Sequence, residues 1–149
     1  MRAYAEDILY HASSDRLLVV GFDNKKLPGG NPVQVAYLLA FNSGFELQYT
    51  RFGFNGADLA RNIADTRLYH LSLGADDRVY LLGESAGSQT IFRYDGVRYA
   101  GAELLSKIDI FTELWNTGSA HIAYFAKLDP STGNIENSAL SMSRLLSTK

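Results

Sequence analysis

The sequence contains no cysteine, which excludes disulfides, thiolate metal sites and a cysteine nucleophile. Charged residues make up only 20% of it, too small a share for a chain that stays unfolded. Neither sign dominates: the formal net charge is -2, with acidic and basic residues scattered along the chain. No basic patch marks a nucleic-acid partner, and no acidic tail marks a solvating arm. Long apolar runs are also missing, and the longest, such as 35–41, fall well short of a bilayer span. The opening Met1-Arg2-Ala3-Tyr4-Ala5-Glu6-Asp7 lacks the apolar stretch of a signal peptide. There is no phosphate loop, dinucleotide fingerprint or asparagine-linked glycosylation sequon.

What is present is short apolar runs divided by Gly, Asn, Asp and Ser. With 149 residues, 46% of them apolar, the chain has the length of one domain and enough apolar surface for a core. The punctuation predicts strands near 17–22, 33–41, 46–54, 67–73, 79–84, 89–94, 122–128 and 135–140. Asn55 is placed to cap a short helix through residue 64, and 102–110 reads as either helix or strand. Pro28, Gly29, Gly30, Asn31 and Pro32 form the clearest loop.

Internal repetition carries the most information. Leu9-Tyr10-His11-Ala12-Ser13 returns as Leu68-Tyr69-His70-Leu71-Ser72. After a turn, Asp15-Arg16-Leu17-Leu18-Val19-Val20-Gly21 returns as Asp77-Arg78-Val79-Tyr80-Leu81-Leu82-Gly83. A third run, Leu38-Leu39-Ala40-Phe41-Asn42-Ser43-Gly44, resembles both Ile91-Phe92-Arg93-Tyr94-Asp95-Gly96 and Phe125-Ala126-Lys127-Leu128-Asp129. Each of these is an apolar strand ending in Asn or Asp, with Gly expected to take the positive φ of the turn. One unit therefore reads as a four-stranded antiparallel meander, which buries its faces only by stacking on others. The expected fold is all-β, about two and a half such repeats with at most short helices, in units near 6–54, 66–100 and 108–146 of a single domain.

These residues resemble a bacterial β-propeller repeat family (SBBP-like repeats). Asp76-Asp77-Arg78-Val79-Tyr80-Leu81-Leu82-Gly83 is similar to its "D-x-G-N-x-Y-V-x-G" run, without the Gly-Asn turn. Tyr124-Phe125-Ala126-Lys127-Leu128-Asp129-Pro130-Ser131-Thr132-Gly133 is similar to its "F-x-x-K-L-D-x-x-G" run. Phe45-Glu46-Leu47-Gln48-Tyr49-Thr50-Arg51-Phe52-Gly53 resembles the strand that follows. The likeness covers most of the chain, and its motifs encode turns and strands rather than chemistry. It implies a non-catalytic scaffold or binding module at an extracellular or cell-surface location, with a protein or carbohydrate partner. A closed propeller needs roughly 4–8 blades, so the chain is expected to be part of a longer one, to assemble from several copies, or to arrange its repeats in a different β-fold.

Few constellations point to chemistry. Gly83-Glu84-Ser85-Ala86-Gly87 fits the nucleophile elbow of a serine esterase. In that alternative Ser85 attacks, His121 is the base, and Asp95, Asp109 or Glu113 orients it. The Ala86 N–H and the Gly29-Gly30 loop would form the oxyanion hole. Against it, the residues after Ser85 read as strand rather than helix, and Gly83 is explained as a strand end matching Gly21. His11 and His70, at matched positions, are too few for a metal site. Asp76 and Asp77 could join Glu84 or Asp95 around Ca²⁺, although no calcium-loop pattern is present. The 9 tyrosines and 8 phenylalanines are explained by core packing first, and Trp115 is a candidate interface anchor. No catalytic, cofactor or metal residue is therefore assigned, and a structural subunit of a larger assembly remains the third reading.

Overall fold

The computed structural model describes residues 3–26, 32–53, 65–86, 108–109 and 121–141. The first sheet is β1 (Ala3–His11), β2 (Arg16–Lys26), β3 (Pro32–Phe41) and β4 (Leu47–Phe52). They are hydrogen-bonded in that order, every pair antiparallel. The second begins with β5 (Thr66–Leu73) and β6 (Val79–Ser85). After the two-residue β7 (Ile108–Asp109) it continues with β8 (Ile122–Leu128) and β9 (Ile135–Ser141). Its order is β5-β6-β8-β9-β7, with only β7 running parallel to its neighbour. The protein is all-β, and its one described helical element is the 3-10 turn Ala12–Ser14. Among the described residues, no helix is long and apolar enough to cross a membrane.

Strict alternation explains the strands of the second sheet. In β8 Ile122, Tyr124, Ala126 and Leu128 are buried while the residues between them are not, the period of two that a pleated strand imposes. β8 pairs with β6, so strands read as parts of units 66–100 and 108–146 lie side by side in one sheet. The expected strand 89–94, the expected helix at 55–64 and nearly all of 102–110 fall outside the described residues.

The hairpins β1–β2 and β5–β6 match in detail. Each turns on an aspartate with positive φ, Asp15 at 52° and Asp77 at 58°, a conformation few side chains other than Asp and Asn tolerate. Each first strand carries a bulge, at Glu6 in β1 and at Tyr69 in β5. Beside the bulge Ala5 faces Gly21, and Leu68 faces Gly83. A Cβ on Gly21 would stand 1.8 Å from the Tyr4 carbonyl oxygen; one on Gly83 would stand 2.3 Å from that of Arg67. Gly83 is therefore required by a crossing backbone, not by a strand end as the sequence suggested. A tyrosine of the third strand flanks each glycine, Tyr37 beside Gly21 and Tyr124 beside Gly83. The Tyr37 hydroxyl donates to the same Tyr4 carbonyl at 3.0 Å.

This register corrects the first sequence match. With Asp15 over Asp77 and Gly21 over Gly83, His70 corresponds to Asp7, and Leu68 to Ala5. The two Leu-Tyr-His runs are thus four residues out of step, and His11 and His70 do not occupy matched positions. The bulges are equivalent in the two strands and do not produce the offset; the Leu-Tyr-His likeness is a coincidence of side chains that the backbone pairing overrides. The match of 38–42 to 125–129 does hold, with Phe41 opposite Leu17 and Leu128 opposite Val79.

The sheets pack face to face, but not with the same face. β2 buries Leu18 and Val20, whereas β6 buries Val79 and Leu81, which correspond to Leu17 and Val19. All four lie in one core with Leu38, Ala40, Leu68, Leu71, Tyr124, Ala126 and Leu128. Two sheets related by a twofold axis would bury the same positions. These two instead stack front to back. Each fully buried Leu or Val contributes about 1.5–3 kcal/mol, so this core outweighs the polar contacts at its rim. One such contact caps the open edge of β5, where Asp7 Oδ2 accepts the Leu71 N–H at 2.8 Å and meets His70 Nδ1 at 2.7 Å. Burial works to raise the Asp7 carboxyl, but the N–H groups of Leu71 and Ile8, with His70, hold it below its ordinary 3.8.

Two predictions follow from the glycines and from Asp7. Gly21→Ala and Gly83→Ala each lower unfolding free energy by about 3 kcal/mol in denaturant melts, because backbone rather than a flexible side chain must move. Gly44→Ala, whose Cβ would meet only the Asn42 side chain at 3.3 Å, stays near wild type. Because the folded-state value of Asp7 is depressed, its stabilisation is present above the unfolded value and is lost as pH falls through the folded one. Melts of wild type and Asp7→Asn therefore differ at neutral pH and converge as the pH is lowered beyond the ordinary carboxyl value of 3.8.

Candidate functional site

The hairpin turns of both sheets gather at one end of the stack. His11, Ser13 and Ser14 from the β1–β2 turn, Asp77 and Arg78 from the β5–β6 turn, and Asp129, Pro130 and Ser131 from the β8–β9 turn line a cleft of about 220 Å³. His11 is 3% exposed and bridges two turns. Its Nδ1 lies 2.7 Å from Ser14 Oγ and its Nε2 lies 3.0 Å from Asp77 Oδ1. The carboxylate only accepts, so Nε2 carries a proton. Ser13 Oγ donates to both Asp77 oxygens at 3.1 Å. This hydroxyl–imidazole–carboxylate row fixes one sheet's turn to the other's. Asp77 is 64% exposed, unlike the buried carboxylate that orients a catalytic histidine.

The neighbouring turns are held just as firmly. Asp15 accepts from the Ser43 N–H and hydroxyl and from the Tyr10 hydroxyl, each at 3.1 Å. The Ser43 N–H leads in holding its carboxyl below the ordinary value. From β4, the Tyr49 hydroxyl donates to the Pro130 carbonyl at 2.7 Å, and burial pushes that hydroxyl up to about 12. Arg51 donates to the carbonyls of Gly133 at 2.8 Å and Thr132 at 2.9 Å. These side chains escaped the sequence reading because turn residues look alike. The repeated Asp-Arg pair was the one available signal.

The structure separates the residues proposed for chemistry. Ser85 is fully buried within β6, paired with Thr66 and Ile122. The Ala86 N–H, the supposed oxyanion donor, donates to the Asp65 carbonyl at 2.9 Å. His121 Nδ1 lies 2.7 Å from Glu84 Oε1. Asp109 sits in β7, at the opposite edge of the sheet's order from β5 and three strands from β6. Gly29, Gly30, Asp95, Glu113 and Trp115 lie outside the described residues. Of the calcium candidates, Asp76 meets Lys127 Nζ at 2.7 Å and accepts from the Tyr80 hydroxyl at 3.0 Å, while Asp77 serves His11 and Ser13. Among the described residues, no three His, Cys, Asp or Glu side chains form a group that could hold a metal ion.

A second polar cluster went unread in the sequence. Glu84 binds Arg67 Nη1 at 2.5 Å as well as His121, and Arg67 also donates to the Tyr69 hydroxyl at 3.2 Å. Arg67 Nε reaches Gln34 of the other sheet, and the guanidinium lies 5.6 Å over the Phe22 ring. Burial works to raise the Glu84 carboxyl, but bonds from Tyr69 and His121 hold it below its ordinary value. These paired charges form a bridge between the sheets.

One turn departs from the expected chemistry. In the β3–β4 turn the positive φ falls on Phe45, at 60°, and not on Gly44. Phe45 is also 77% exposed, so its ring returns nothing for the strain. The equivalent position in the β8–β9 turn holds Gly133, at 72°. Replacing Phe45 with Gly relieves a left-handed conformation costing about 1–2 kcal/mol and loses part of that gain to chain entropy. Phe45→Gly is expected to raise the melting temperature by about 2–4 °C in calorimetry.

Compared with protein-family models, with curated proteins and with solved structures, the chain matches none.

Proposed function

We propose that this chain is a non-catalytic scaffold built from two propeller-type blades, whose gathered turns form a recognition surface for a protein or carbohydrate partner. The observation that carries this reading is the front-to-back stacking of two corresponding meanders. Blades around an axis stack in that way, because each covers its neighbour's opposite face. Such stacking also brings equivalent turns to one end, where a rigid frame holds them for contact. The cleft there mixes hydroxyls of Ser13 and Ser131, carboxylates of Asp77 and Asp129, and the Arg78 guanidinium, the donors and acceptors that a polyhydroxylated or polar peptide ligand needs. A bacterial surface location follows from the family resemblance alone.

Screening the protein against a glycan array and a displayed peptide library tests the reading. Ser13 is exposed at the cleft, so Ser13→Trp is expected to abolish binding of the selected ligands; loss of its hydroxyl bonds to Asp77 lowers the melting temperature by only about 2–4 °C. Ligands indifferent to Ser13→Trp would overturn the site. Hydrolysis of a short-chain ester that disappears in Ser85→Ala would overturn the non-catalytic reading.

A further inference from the structure

Each sheet keeps one face outside the core, and the two outer faces are counterparts of the two that already pack together. On the first sheet the outer face carries Ile8, Leu17, Val19, Leu39, Phe41 and Leu47. In register these correspond to Leu71, Val79, Leu81, Ala126, Leu128 and Ile135, all of them buried in the core. Every one of the six is apolar, and Ile8 is 60% exposed. On the second sheet the outer face carries Tyr80, Leu82 and Phe125, the counterparts of buried Leu18, Val20 and Leu38. They are 40%, 37% and 45% exposed. Tyr80 and Phe125, with Lys127, Asn137 and Ala139, line an apolar groove of about 340 Å³.

We infer that the occupant of these faces is a second copy of this chain. The second-sheet face of one copy receives the first-sheet face of the next, head to tail, in the geometry of the internal stack. This rests on the proposed blade reading and gives it a partner. A knob set that fits in the core has its counterpart on one outside face, and its socket has a counterpart on the other. No other partner is specified position by position in this way. Glu84 and Lys127 stand where the internal stack has Phe22 and Ala40, so contact between copies is weaker than contact within one. A head-to-tail interface uses two different patches and closes into a ring when its rotation allows. With two blades per copy and roughly 4–8 blades in a closed propeller, the ring holds about two to four copies.

Sedimentation velocity over a concentration series tests this. Wild type is expected to form a discrete species of about two to four copies, dissociating on dilution. Val19→Lys blocks one face and Leu82→Lys the other, so each variant alone is expected to be monomeric. Mixed together, they retain one intact face each and are expected to form a one-to-one complex, which an interface using the same patch twice would not do. Wild type that stays monomeric at roughly 1 mM overturns the inference, as does association untouched by either variant or no complex on mixing. A double-mutant cycle between Ser13→Ala and Asp77→Gly, which keeps the left-handed turn accessible, reports the internal stack separately. If the pair is coupled in wild type that stays monomeric, self-association alone fails; if it is not coupled, the blade reading fails with it.

Discussion

The contact on which the rest of the molecule depends is that of Leu18 and Val20 in β2 with the face of the second sheet that carries Val79 and Leu81. Corresponding strands bury opposite sets of side chains, so the two sheets are displaced copies of one another and not mirror partners across an axis. This single fact places the hairpin turns of both sheets at one end. Among the described residues, it also leaves each sheet with a partly exposed face of apolar character. A sandwich whose sheets share their inner face is complete at two layers. A front-to-back stack is complete only when it closes on itself or ends in a cap.

Backbone crossing makes the displaced arrangement precise. The bulges at Glu6 and Tyr69 twist the first strand of each sheet, and the twist drives a carbonyl onto the strand beside it. Only glycine leaves room there, at Gly21 and Gly83. The neighbouring tyrosine then covers the bare backbone, as Tyr37 does over the Tyr4 carbonyl. Bulge, glycine and tyrosine act as one device, present twice, and the agreement between the copies is closer than that of the side chains around them.

Strand positions were legible in the sequence because half-buried strands alternate and turns carry Asn, Asp and Gly. The bounds 122–128 agree with β8 at both ends. The run from Asp15 to Gly21 could be laid on Asp77 to Gly83 because both ends are fixed by backbone demands, a left-handed aspartate and a crowded glycine. The Leu-Tyr-His likeness misled because a few matching side chains do not fix a register, whereas the backbone demands at the aspartate and the glycine do. The partner of β6 could not be read either. Phe125 to Asp129 has the character of a third strand wherever it falls along the chain, and only the hydrogen bonds reveal that it follows Ser85 in space after a gap of 36 residues in sequence, from Ser85 to Ile122. The turn cluster was hidden for a further reason. His11 and Asp77 are 66 residues apart, and their contact exists only once the sheets have stacked.

The same features decide how such a molecule can associate. A flat, open sheet edge invites another strand. The edge strands β1, β4 and β5, however, each carry a bulge, at Glu6, Gln48 and Tyr69. The Leu71 N–H on the open side of β5 is already taken by Asp7 from the other sheet. A strand added there would have to displace a charge-assisted bond and follow a kinked backbone, at a cost of about 1.5–3 kcal/mol for the bond alone. The outer faces set Glu84 and Lys127 against a neighbour but require no backbone hydrogen bond to be displaced. Their side chains stand in register with a packing that the molecule has already realised once, so the proposed association between copies uses faces rather than edges.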